Sequence, residues 1–128
     1  LRKSVGCEKT MEADITMRSQ MLIELYHLVI ELVGRLDKAG FRGKTLTLKI
    51  KYADFTVVSR CATANKVLVA KDDILAFAKL LLRKVEFSAT RPVRLVGLSV
   101  SNPYEETASH RQRYVQGLLN FGDDFWDC

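Results

Sequence analysis

A chain of 128 residues, 48% hydrophobic and 27% charged, has the size and composition of one compact domain with its own core and leaves little room for a second. Its longest apolar runs, such as Ile74 to Leu82, are interrupted by Lys79 and fall short of the ~20 apolar residues of a membrane helix, so no such span is expected. Residues 1–101 hold 18 of the 20 Lys and Arg against 10 of the 15 Asp and Glu, a net +8, whereas residues 102–128 hold 2 against 5, a net −3. A basic body before an acidic tail points towards a polyanionic partner. Cys7, Cys61 and Cys128 form no CxxC pair and lie near no histidine, so a zinc site is not expected, and buried thiols in a reducing cytoplasm suit the odd count better than a disulfide framework. Leu1 is neither a start methionine nor the head of a signal peptide, as expected of a piece of a longer protein.

The first strand is expected over Arg2 to Met11, with Val5 and Cys7 on one face and Ser4, Gly6 and Glu8 on the other. From about Ser19 to Ala39, Leu22, Leu25, Tyr26, Val29, Leu32, Val33 and Leu36 recur at intervals of three and four, which predicts an amphipathic helix ending at Gly40. The clearest pattern runs from Lys44 to Tyr52, where Leu46, Leu48, Ile50 and Tyr52 alternate with Thr45, Thr47, Lys49 and Lys51. Ala53-Asp54 then turns the chain into a strand over Phe55 to Thr63, with Phe55, Val57, Ser59 and Cys61 on one face and Thr56, Val58 and Arg60 on the other. Asp72 or Asp73 can cap a second helix to about Val85, with Ile74, Leu75, Ala78, Leu81, Leu82 and Val85 inward. Pro92 opens a last strand to about Ser101, with Val96, Leu98 and Val100 inward.

This order, βαββαβ, predicts an α+β domain: a four-stranded antiparallel sheet with two helices on one face and an open basic face. On the open face the alternation collects Thr45, Thr47, Lys49 and Lys51 with Thr56 and Arg60, and with Arg2 and Ser4. Lysine, arginine and small hydroxyl side chains can approach a phosphate backbone without reading bases. Tyr52 and Phe55 fall on the inward face in this reading, so no aromatic is expected on the open one, which disfavours a sheet that stacks single-stranded bases. No converging acids, bases or nucleophiles suggest catalysis: Asp72-Asp73 reads as a helix cap, His27 and His110 have no visible partner, and neither a GxxxxGK[ST] nor a GxGxxG loop is present.

Arg2-Lys3-Ser4-Val5-Gly6, followed by Glu8-x-Thr10-Met11 and Asp14-Ile15, and later Arg91-Pro92-Val93-Arg94-Leu95-Val96-Gly97-Leu98, resembles the little-finger domain of Y-family DNA polymerases of the DinB, or DNA polymerase IV, type. The similarity covers residues 1 to about 101, which the resemblance makes a DNA-binding domain, with 102–128 as a C-terminal tail. It implies a βαββαβ fold whose open face rests in the major groove and grips primer-template backbone during translesion synthesis and DNA repair, with Arg2, Lys3 and Ser4 at DNA phosphates. Thr47, Lys49, Lys51 and Arg60 are added to that DNA-binding set from strand alternation alone. In the family, magnesium-assisted nucleotidyl transfer belongs to palm carboxylates upstream of position 1. No cofactor is therefore expected in this fragment, which should be inactive alone in a cytoplasmic parent enzyme.

The tail adds a second expected partner, the β sliding clamp. Bacterial polymerases of this family end in a clamp-binding peptide, typically Q-L-x-L-x-L/F, and Gln116-Gly117-Leu118-Leu119-Asn120-Phe121 keeps the glutamine, the fourth-position leucine and the sixth-position aromatic, with Gly117 in place of a leucine. Gln116, Leu118, Leu119 and Phe121 would make that contact; otherwise the same apolar residues pack on the domain as a terminal helix. The rival to a DNA-binding domain is a βαββαβ protein-interaction or ligand-sensing module that dimerises through its sheet. Such a face should expose apolar residues rather than Thr, Lys and Arg.

Overall fold

The computed structural model describes residues 4–101 together with the backbone of 125–127. Strict alternation over Thr45–Tyr52 produces strand β2, whose Leu46, Leu48, Ile50 and Tyr52 are all buried while the intervening residues are half-buried. Complete burial of such side chains contributes roughly 1.5–3 kcal/mol each, so a one-residue slip of register would forfeit the main apolar block of the sheet. Tyr52 satisfies its hydroxyl by donating to the carbonyl of Glu86 at 2.5 Å.

The remaining elements are β1 (Ser4–Ile15), α1 (Arg18–Ala39), β3 (Val57–Thr63), α2 (Lys71–Leu82), β4 (Val93–Ser101) and a three-residue β5 (Phe125–Asp127). The expected βαββαβ order is thus observed, and all pairings are antiparallel. The sheet order β1-β4-β2-β3-β5 makes β4 the hub between β1 and β2, and β5 lies on the outer edge of β3. Val5, Cys7, Val96, Leu98 and Val100 join the inward face as expected.

Helix α1 buries Met21, Leu25, Leu28, Val29, Leu32 and Leu36, and Gly40 closes it at φ 62°, a left-handed conformation that suits glycine. The stripe is rotated from the expected one: Met21 and Leu28 are buried, while Leu22 and Tyr26 remain 37% and 39% exposed. Apolar residues cover so much of the circumference between Met21 and Ile30 that two stripes of equal spacing compete, and packing on the sheet selects one. In α2, Ala70 occupies the N-cap, and Asp72 and Asp73 lie in the first turn instead, where they complement the helix dipole. Ile74, Ala78, Leu81 and Leu82 pack inward, and Val85 is buried just beyond the helix end.

Candidate nucleic-acid interface

With both helices on one side, the other sheet face is built from alternate residues of four strands. Cross-strand register sets Gly6, Ser99 and Thr47 in one row and Glu8, Gly97 and Lys49 in the next. Ser4, Ser101 and Thr45 flank the first row, and Lys51 with Leu95 and Thr10 flanks the second. Ser59 stands opposite Lys49, and Cys61 opposite Thr47. The middle of this face is a shallow depression of about 370 Å³ lined by Gly6, Glu8, Thr47, Lys49, Gly97 and Ser99, with Arg35 at its rim.

Backbone proximity explains why small residues hold that depression. A Cβ on Gly6 would lie 2.7 Å from Ser99 Cβ, and one on Gly97 would lie 3.1 Å from Glu8 Cβ. Any larger residue would fill the trough and push the β1–β4 side chains apart. Arg35 reaches it from α1 by donating to the Gly6 carbonyl at 3.2 Å, and Glu31 anchors the same guanidinium at 2.6 Å. Lys49 Nζ lies 3.5 Å from Glu8 Oε1. The trough therefore offers hydroxyls, bare backbone and two cations, Lys49 and Arg35, each partly balanced by its own carboxylate, Glu8 and Glu31, a surface that can meet a phosphate backbone at close range.

Of the expected DNA-binding residues, Ser4, Thr47, Lys49 and Lys51 do come together on this face. Arg2 and Lys3 lie outside the described residues, as do Gln116, Leu118, Leu119 and Phe121 of the tail. Arg60 is a correction. It pairs with Leu48, so its side chain leaves the sheet on the helix side, and one of its guanidinium nitrogens bonds the Ser59 carbonyl at 2.9 Å. Strand β3 begins at Val57, so alternation counted from Phe55 assigns its charged residue to the wrong face. Thr56 belongs to the turn, where its backbone N–H and hydroxyl both donate to Asp54 Oδ1.

Phe55 is the larger correction. Instead of joining the core it is 60% exposed at the β2–β3 hairpin tip, with φ 72°. The left-handed region costs a residue with a Cβ roughly 1–2 kcal/mol, which the Phe55 N–H to Tyr52 carbonyl bond (2.9 Å) and the Asp54–Thr56 bonds help to offset. Those bonds from Thr56, side chain first, hold the Asp54 carboxyl below its ordinary pKa, with the Arg91 charge a smaller cause. Lys51 Nζ lies 5.5 Å and Arg94 Cζ 5.0 Å from the Phe55 ring centroid, and Arg91 stacks on Tyr52 at 3.9 Å. Arg94 is aimed there by a bulge: Lys51 pairs with Leu95 but Tyr52 with Val93, leaving Arg94 as the extra residue of β4. Sequence reasoning missed Arg35, Arg91 and Arg94 because nothing in strand alternation or helix period signals a long-range contact or a bulge.

Cys7 keeps a free, buried thiol that donates to the Leu28 carbonyl at 3.5 Å. Burial, then the negative charge of Glu31, pushes its pKa up to about 11, against the smaller opposite effect of Arg35. Cys61, expected as a second buried thiol, is disulfide-bonded. Among the described residues no three of His, Cys, Asp and Glu converge to hold a metal ion. No helix among them is long and apolar enough to cross a membrane.

A sheet of this topology, helices behind and a polar glycine-lined trough in front, defines a βαββαβ module with one open sheet face. Residues 2–114 match the model of the impB/mucB/samB family C-terminal domain, and the chain belongs to that family. It is 50% identical over 123 residues to a DNA polymerase IV of Bacteroides fragilis, covering 96% of this chain and 34% of that protein. It is 47% identical over 106 residues to a DNA polymerase IV of Akkermansia muciniphila, covering 83% and 29%. The chain thus spans about a third of the length of these curated relatives. Among solved structures it is similar to a little finger domain of a polymerase IV in complex with a β-clamp processivity factor, at TM-score 0.63 and 30% identity, over 77% of this chain and 87% of that one.

Proposed function

We propose that this chain is the DNA-binding little-finger domain of a translesion DNA polymerase, and that its open sheet face grips the primer-template backbone. The observation that carries the reading is the trough of Gly6, Gly97, Ser99 and Thr47 flanked by Lys49 and Lys51. It is shallow enough for a duplex backbone to approach and has too little apolar surface for a stable protein–protein core. Ser4, Thr47, Lys49 and Lys51 supply contacts from the described residues, with Arg2 and Lys3 added by family resemblance. A grip on sugar and phosphate tolerates an altered base, because no base edge has to be read for the template to stay bound.

In this proposal residues 1–101 form the DNA-binding unit of a longer cytoplasmic polymerase whose magnesium-assisted chemistry is performed by other domains, and no catalytic step belongs to this chain. Within the C-terminal segment 102–128, Gln116, Leu118, Leu119 and Phe121 engage the β sliding clamp, a partner suggested by the clamp complex of the similar little finger domain, while Phe125–Asp127 pairs with β3. The test is a titration of fluorescent primer-template DNA with the 128-residue chain. Saturable binding that unrelated duplex sequences compete for equally is expected. Binding confined to one sequence, or none at low salt, would overturn the proposal.

A further inference from the structure

We propose that Phe55 is a stacking platform for an unpaired DNA base, with Lys51 and Arg94 holding the phosphate beside it, at the hairpin end of the open face. The inference rests on the DNA-binding reading of that face and adds to it a component that backbone gripping does not require. Three independent features meet at Phe55. Its ring is the most exposed large hydrophobic side chain among the described residues, at 60%. It occupies a left-handed position, φ 72°, where a glycine would sit without strain. Two cations hold their charges 5.0 and 5.5 Å from its centroid.

An aromatic face beside lysine and arginine complements a nucleotide, whose base offers a π-surface and whose phosphate offers a negative charge. Arg94 also carries a planar guanidinium, which can extend a stack on the ring. Asp14, 3.8 Å from Arg94 Nε, takes up part of that charge, whereas Lys51 makes no salt bridge among the described residues. Asp54, the other nearby carboxylate, is turned into the hairpin by its bonds to Thr56. A base inside a duplex has both faces covered by its neighbours, so the ligand is a nucleotide in a single strand next to the duplex held by the sheet.

The test compares two probes on the 128-residue chain: a blunt hairpin duplex, and the same duplex with a single-stranded overhang carrying 2-aminopurine. The wild type should prefer the overhang probe and quench its fluorescence. Phe55→Ala and Phe55→Gly, the second of which suits the backbone and so preserves the fold, should lose about tenfold in affinity for the overhang probe, leave the blunt probe little changed and abolish quenching. Phe55→Trp should retain both effects. Equal losses on the two probes would overturn the stacking site by reducing Phe55 to a support for Lys51 and Arg94, and the absence of any wild-type preference would overturn it as well. A wild type that binds neither probe would overturn the DNA-binding reading itself, and the stacking site with it.

Discussion

Lys49 reaches across Gly97 of the hub strand to set its ammonium 3.5 Å from Glu8 Oε1, joining β2 to β1 over the floor of the trough. Both side chains are about half exposed, so the pair is worth only ~0–1 kcal/mol of stability, and its importance is that it withholds a cation from the open face. Glu8→Gln should therefore leave the thermal midpoint almost unchanged, strengthen DNA binding and steepen its salt dependence by up to ~0.9 for one added phosphate contact. Melting curves and anisotropy titrations on the same preparation would check this. Weaker binding by Glu8→Gln would mean that the carboxylate itself contacts the partner.

Register separates surface from core within a few residues. Lys49→Ala with Lys51→Ala should weaken DNA binding while changing stability within ~0.5 kcal/mol. Arg60→Ala should leave DNA binding intact, because it departs from the helix side of the sheet opposite Leu48. Leu48→Ala should cost roughly 2–5 kcal/mol through lost burial and a cavity. Urea unfolding and DNA titration of the four proteins would reveal a wrong register as an exchange of these phenotypes.

Where one periodicity dominated, the sequence sufficed. Leu46 to Tyr52 could be assigned to faces because one register buries four apolar side chains and the alternative buries two threonines and two lysines. The element order and the inward set of β4 were legible for the same reason. Faces are ambiguous where two patterns are equally good, as at Leu22 and Tyr26 against Met21 and Leu28, or where no local signal marks the start of a strand. Counting β3 from Phe55 sent Arg60 to the open face and Phe55 to the core, yet a turn with a left-handed residue breaks the alternation at that point. The bulge at Arg94 and the reach of Arg35 to Gly6 depend on three-dimensional pairing that no local pattern encodes.

Burial makes the Cys7 thiol a weak acid, with a pKa pushed up to about 11 from 9.0. A folded pKa above the unfolded one contributes stability that is complete below about pH 9 and is lost as pH rises through 11, because the unfolded thiol ionises first. Iodoacetamide should accordingly leave Cys7 unmodified at pH 8 in the folded chain and label it promptly in denaturant, as peptide mass spectrometry would record. Equal labelling in both states would contradict its burial.

For the tail, a peptide spanning Arg113 to Asp124 titrated into the sliding clamp of the same organism should bind in the micromolar range by calorimetry. Leu119→Ala with Phe121→Ala should abolish the heat, since a few apolar anchors supply most of the energy of such peptides. No heat from the intact peptide would remove the clamp from the proposal and leave the DNA-binding domain unaffected.

The claim that the open face binds phosphate backbone is tested most directly by fluorescence anisotropy of a duplex probe across a series of salt concentrations. If roughly four phosphates are neutralised, log K should fall against log salt with a slope of about −3.6, alike for unrelated sequences and shallower when Lys49 and Lys51 are both alanine. A slope near zero, or one unchanged by removing both lysines, would contradict the account.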